Sequence, residues 1–228
     1  MLFHTISPYT FYGGAVVFLL RSFGTVLISL LLLSACGTRQ VNNFYPAPGE
    51  PTLAQVRQAT ERFRDVNVAL AEGFIRDPTN MCETAEMMGR PASLGSMGVH
   101  YFRPDLLGVT APPSPRVNGN GTHTDFNQPA ILIYEPQADG SMELVAVENL
   151  VFKASWEEAG HSETPSFHNL PFDHMFDDPT TTLDEAHNFE PHYDRHVWIY
   201  RENPNGVFEP LNPRVTCAYH QAAVPATQ

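Results

Sequence analysis

Residues 130–134 read Ala-Ile-Leu-Ile-Tyr, and residues 142–152 read Met-Glu-Leu-Val-Ala-Val-Glu-Asn-Leu-Val-Phe. Both stretches are rich in the β-branched and aromatic residues that favour strands. Between them, Pro136, Asp139 and Gly140 are turn-forming residues. The sequence therefore predicts that the two stretches pair as an antiparallel hairpin.

Further elements extend outward from this hairpin. Residues 96–102 and 196–201 are also predicted strands. Thr52 and Gln55 form a capping-box pattern before apolar residues at helical spacing, which predicts an amphipathic helix ending near Gly73. The expected fold class is α+β, with one N-terminal amphipathic helix packed on a curved antiparallel β-sheet.

The first 35 residues are typical of an export signal. Residues 23–35 are an apolar run that follows Arg21, and this run is short for a membrane span of about 20 residues. Residues 11–20 are apolar as well, so translation starting nearer Arg21, or an uncleaved membrane helix, stays open as an alternative.

Leu33-Ser34-Ala35-Cys36-Gly37 resembles the bacterial lipobox, in which the cysteine is acylated and becomes the mature N-terminus. This resemblance implies a membrane-anchored lipoprotein that faces the periplasm or the cell exterior, with the outer membrane favoured because Gly37 and not Asp follows the cysteine. The expected organisation is a signal peptide at 1–35, a lipidated tether at 36–51 and a single globular domain at 52–228.

Charge argues against nucleic acid as a partner. The formal net charge is −12, and it becomes −13 without Arg21 of the leader, which carries no acidic residue. Lys153 is the only lysine, so a basic cluster that could neutralise phosphates is missing. The membrane, through acylated Cys36, and an unknown ligand are the expected partners.

Cys82 and Cys217 remain once Cys36 is assigned to lipid. An even pair of cysteines in an exported chain predicts one disulfide. A redox or metal-binding role is less favoured, because neither cysteine has a close cysteine neighbour.

Four separated motifs resemble an uncharacterised family of exported bacterial proteins. They are Gly95-Ser96-Met97-Gly98-Val99-His100-Tyr101, Leu132 to Pro136, Val147-Glu148-Asn149, and the stretch from His196 to Phe208 with Asn212 to Cys217. The resemblance covers about residues 66–217 and implies no established activity, fold or ligand. This chain departs from the family pattern at Asn149, where the family has tyrosine, and after residue 173, where its histidine-rich segment is longer.

His100, Glu148 and His196 are the candidate site. Two imidazoles and a carboxylate on neighbouring strands are able to bind a divalent transition metal and leave positions open for water or substrate. Trp198 is expected to line the same pocket. The competing interpretation is a buried polar pair without ligand, in which Glu148 meets His100, His196, Arg103 or Arg201.

Residues 157–195 form a histidine- and acid-rich excursion, predicted not to be a strand region. It is a loose metal-binding segment, a solvated lid or a pH-sensitive surface, and part of it is expected to fold over the sheet. Three functions stay open: a lipid-anchored envelope module that binds an unknown small or protein ligand, a metal-dependent enzyme using His100, Glu148 and His196, and a structural envelope protein without ligand. No nucleophile motif, phosphate loop or dinucleotide fingerprint indicates a named reaction.

Overall fold

The computed structural model describes residues 45–109 and 116–221. The leader and Cys36 lie outside these residues, so the signal peptide and the lipidation site stay predictions. No helix in the two described ranges is long and apolar enough to cross a membrane.

The described residues mix helices and strands. The helices are α1 (Leu53–Thr60), α2 (Val66–Ala71), α3 (Pro104–Leu107) and α4 (Lys153–Glu158), with 3₁₀ turns at Glu61–Arg64, Ala85–Met88 and Ala92–Leu94. The strands are β1 (Ile75–Arg76), β2 (Glu83–Thr84), β3 (Ser96–Phe102), β4 (Ile131–Pro136), β5 (Met142–Phe152), β6 (Ser166–Phe167), β7 (Leu170–Pro171), β8 (Asp173–Met175) and β9 (His192–Val197).

Seven of these strands form one open antiparallel sheet. Its order is β1-β3-β4-β5-β9-β8, and β2 pairs with β3 beside β1. The predicted hairpin is confirmed as β4 and β5, which pair from Ile131↔Glu148 to Pro136↔Met142. The mixed fold class and the antiparallel sheet are therefore correct, whereas the curvature of the sheet stays a prediction.

The helix expected from Thr52 to Gly73 is interrupted. Thr52 caps α1 with the predicted box, in which its side chain and that of Gln55 exchange hydrogen bonds with each other's backbone. At Asp65 the backbone turns to φ −90° and ψ 108°, and the Asp65 side chain accepts a hydrogen bond from the Asn67 amide to start α2. An aspartate that caps a new helix competes with continuation of the old one, which explains the break.

The sheet is buried on both faces. On one face Leu132, Tyr134 and Val147 pack with Val56 and Phe63 of the N-terminal helical region. The Tyr134 hydroxyl donates a 2.6 Å hydrogen bond to the Phe63 carbonyl and so fastens that region to β4.

The opposite face of the sheet carries a second apolar cluster. Ile131 and Ile133 pack there with residues from outside the central strands, including Phe189 and Trp198. The candidate site residues belong to this second face, because Ile133 pairs with His100 and Ile131 pairs with Glu148.

The expectation for the last strand was wrong by four residues. The strand is His192–Val197, and not 196–201. After Val197 the chain leaves the ladder, because the Trp198 amide donates to the Val207 carbonyl and the Ile199 amide donates back to Val197.

The excursion was also wrongly predicted to lack strands. It contains the hairpin of β6 and β7, then β8 and most of β9. Aromatic burial holds it in place: Phe167 stacks on Phe126 at 4.1 Å between ring centroids. Residues 45–51, assigned to the tether, contact the same hairpin through hydrogen bonds from the His168 amide to Glu50 and from the Asn169 side chain to the Tyr45 carbonyl.

The predicted disulfide between Cys82 and Cys217 is confirmed, with 5.7 Å between the two Cα atoms. It joins the segment before β2 to the C-terminal segment of the described chain. Glu83, the residue after Cys82, lies on β2 opposite Gly98 of β3 and enters the site described below.

Candidate functional site

Four adjacent strands bring His100, Glu148 and His196 together. Glu148 on β5 is the direct cross-strand neighbour of His196 on β9. His100 lies on β3, two strands from β5, which is roughly 10 Å at the usual strand spacing. On the intervening strand β4, Ile133 pairs with His100 and Ile131 pairs with Glu148.

The three side chains converge on one oxygen atom. His100 Nε2 lies 3.2 Å and His196 Nε2 lies 3.5 Å from Glu148 Oε2. One ligand atom from each residue lies within 4.8 Å of the other two. We call these residues the His–Glu–His cluster; among the described residues it is the group of histidines, cysteines and carboxylates that has the geometry to hold a metal ion.

The cluster is almost wholly removed from solvent. The exposed fractions of His100, Glu148 and His196 are 7%, 2% and 1%. Glu148 Oε2 and both ring nitrogens of His196 nevertheless lack hydrogen-bond partners, since the close approaches to Oε2 are poorly directed for hydrogen bonds. Unpartnered polar atoms at this depth are costly, and a bound ion or a bridging water would offset the cost.

A small cavity of about 20 Å³ adjoins the cluster. Four further titratable residues line it: Glu83, His187, His192 and Asp194. Among the described residues that line this cavity there is no lysine or arginine. The three buried carboxylates, Glu83, Glu148 and Asp194, therefore depend on imidazolium or on a bound cation for compensation.

Glu83 lies between two histidines. Its Oε2 is 2.8 Å from His187 Nδ1 and its Oε1 is 3.6 Å from His100 Nδ1. Burial raises the pKa of Glu83, but the nearby His187 and His100 outweigh this effect and lower the pKa to about 2. Burial lowers the pKa of His100, but the Glu83 and Glu148 carboxylates outweigh this effect and raise the pKa to about 10. In the metal-free protein His100 is thus an imidazolium ion between two carboxylates.

Asp194 and His192 continue the group along β9. Burial raises the pKa of Asp194, and its neighbours His192, His196 and His187 outweigh this and lower it. His192 Nε2 lies 3.8 Å from Asp194 Oδ2, and its Nδ1 is 2.9 Å from the Glu190 carbonyl. Asp194 Oδ1 is buried without a partner.

The structure places the remaining candidates elsewhere. Trp198 is not among the residues that line the cavity; its indole stacks beside His196, with 6.3 Å between ring centroids and 19° between planes. Arg103 pairs with Asp105, and Arg201 pairs with Glu135 and Glu143, so neither is the partner of Glu148. Of the four partners considered for Glu148, His100 and His196 are the two that lie beside its carboxylate.

Sequence reasoning missed Glu83 and Asp194. A signal was present for Asp194, because His192, Asp194 and His196 alternate with the two-residue period of one strand face. Glu83 stands on a two-residue strand with no recognisable period. The feature of the sequence nearest to Glu83 is Cys82, whose disulfide was predicted but which does not indicate that Glu83 enters the site.

Comparison of the chain with protein-family models, with curated proteins and with solved structures finds no match in any of the three.

Proposed function

We propose that this chain is a lipid-anchored metalloprotein of the bacterial cell envelope, which holds one divalent transition-metal ion in the His–Glu–His cluster. The observation that carries the proposal is the approach of two imidazole Nε2 atoms to one buried carboxylate oxygen that accepts no hydrogen bond. The lipid anchor rests on the lipobox at Leu33–Gly37 and is part of the same proposal.

The distances fit a metal ion. Ligand atoms of a tetrahedral zinc site, with bonds of about 2.0–2.2 Å, lie about 3.3–3.6 Å apart. The two nitrogen–oxygen distances of 3.2 and 3.5 Å are close to this spacing. Small shifts of the side chains would seat an ion between them.

The ligand chemistry indicates the metal class. Two histidines with one glutamate are a ligand set of catalytic zinc sites, and two histidines with one carboxylate also suit Fe(II). Both ions keep open coordination positions with three protein ligands. We therefore favour a metal centre that also binds a small non-protein ligand over a closed structural site. Of the three functions that the sequence left open, this centre favours the metal-dependent enzyme over the binding module and the structural protein.

Zinc titration of the full-length protein, purified without a polyhistidine tag and stripped of metal, tests the proposal. The wild type should bind about one zinc ion per chain, and Glu148→Gln and His196→Ala should weaken binding by roughly 100-fold or more, because even loss of a group behind a ligand costs about 10–100-fold. His174→Ala is the matched control, since this exposed histidine is not part of the cavity.

Two results would overturn the proposal. One is a wild type that takes up no zinc and, on exchange, no Fe(II). The other is equal zinc affinity in the wild type and in Glu148→Gln, which would move the bound metal away from the His–Glu–His cluster.

A further inference from the structure

His187 approaches the metal centre from a segment outside the central sheet. It lies on the loop between β8 and β9, residues 176–191, and it lines the cavity beside the His–Glu–His cluster. His187 and the following Asn188 have φ angles of 56° and 65°, a left-handed conformation that is uncommon for residues other than glycine. Such backbone persists where surrounding contacts enforce it, and it often accompanies a functional group.

Arg116 supplies those contacts for the β8–β9 loop. Its guanidinium donates to Asp177 at 2.5 Å, to Asp184 at 2.7 Å and to the Phe189 carbonyl at 2.6 Å. Val117 also forms a backbone bridge with Phe189. The loop is therefore fastened to Arg116 and Val117 on both sides of His187.

Glu83 fixes the orientation of the His187 ring. His187 Nδ1 donates a 2.8 Å hydrogen bond to Glu83 Oε2. Burial lowers the pKa of His187, but the Glu83 carboxylate outweighs this effect and raises it, which favours the imidazolium form with a hydrogen on both ring nitrogens. The other nitrogen, Nε2, is buried and has no hydrogen-bond partner in the structure. A ring that is fixed at one nitrogen and unpaired at the other is prepared to contact a further group.

His187 does not belong to the set of metal ligands. Among the described residues, the group of three or more histidines and carboxylates whose ligand atoms lie mutually within 4.8 Å consists of His100, Glu148 and His196. His187 therefore adjoins the metal position without reaching it, which is where a residue that contacts the non-protein ligand of the metal would lie.

The cavity limits the size of that ligand. Its volume of about 20 Å³ exceeds the roughly 10–15 Å³ that one water molecule needs, but it has no room for a larger group in addition. His100 and His187 are each 7% exposed, compared with 1–2% for His196 and Glu148, so they are the less deeply buried members of the group.

We infer that His187, oriented by Glu83, is a positioning residue that donates a hydrogen bond from Nε2 to a water-sized ligand of the metal. The ligand class is water, hydroxide or a small anion of similar size. This inference rests on the proposed function, because it requires the metal in the His–Glu–His cluster. It assigns to Glu83 and His187 a role that the three metal ligands alone do not provide.

Fluoride binding to the cobalt(II)-substituted full-length protein tests the inference, with the visible absorption of cobalt as the readout, because fluoride is an anion of about the size of water. The wild type and His174→Ala should bind one cobalt and then fluoride. His187→Ala should keep one cobalt per chain and bind fluoride about tenfold more weakly, which corresponds to the loss of one hydrogen bond. His187→Gln, which retains an amide donor, should recover part of the fluoride affinity.

Each other outcome is decisive. Unchanged fluoride affinity in His187→Ala, or no fluoride binding to the cobalt-loaded wild type, would overturn the inference and leave the metal site intact. Loss of cobalt from His187→Ala and His187→Gln, or failure of both to fold, would make His187 a ligand or a structural residue and also overturn it. A wild type that binds no cobalt would instead refute the proposed function itself.

Discussion

Zinc-loaded protein should unfold at a temperature roughly 10 °C higher than metal-free protein. A ligand that binds only the folded state stabilises it by about 4 kcal/mol at a free concentration 1,000 times its dissociation constant. For a chain of about 200 residues each kcal/mol shifts the unfolding temperature by about 2–4 °C. Differential scanning calorimetry with zinc and with chelator measures the difference directly.

Glu148→Gln is the informative control for this experiment, because it removes one ligand and keeps nearly the same side-chain volume. The zinc-dependent shift should disappear in this variant and persist in His174→Ala. An equal shift in Glu148→Gln would place the stabilising metal elsewhere. No shift in the wild type would favour the alternative in which protonated His100 forms a buried ion pair with Glu83 and Glu148.

Replacing both Cys82 and Cys217 by serine should lower the free energy of unfolding by about 4–5 kcal/mol. The disulfide spans 135 residues, and opening so long a loop returns much conformational entropy to the unfolded chain. Urea unfolding of the oxidised wild type, the reduced wild type and the double variant provides the measurement. The reduced wild type should match the double variant, and a loss below about 1 kcal/mol in both would contradict the prediction.

The central hairpin could be predicted from the sequence because its signals are local. Runs of β-branched and aromatic residues mark β4 and β5, and the turn between them contains Asp139 and Gly140. The disulfide followed equally directly from the number of cysteines and the expected compartment. These features depend on composition and short-range order, so one sequence is enough.

Other parts of the fold depend on contacts that local patterns do not encode. The helix break at Asp65 is a competition between continuing one helix and capping the next, and apolar periodicity continues through it. Residues 192–197 are all buried although four of the six are polar or charged, so no run of apolar residues marks the start of β9. Tertiary burial decided this second case.

The candidate site was predictable only in part. His100, Glu148 and His196 stand out as polar residues within apolar strands, and the strand register brings them together. Glu83 and His187 reach the cavity from a two-residue strand and from a loop with positive φ angles. Their approach results from packing between distant parts of the chain, which the sequence pattern does not reveal.

X-ray absorption spectroscopy at the zinc edge of the zinc-loaded protein tests the central claim most directly, because it identifies the donor atoms around the ion. We expect a four-coordinate ion with two imidazole nitrogens and two oxygens at about 2.0–2.2 Å, the oxygens belonging to Glu148 and to a water-sized ligand. A shell of six oxygens, or a shell with three or more imidazoles, would contradict the assignment of the metal to His100, Glu148 and His196.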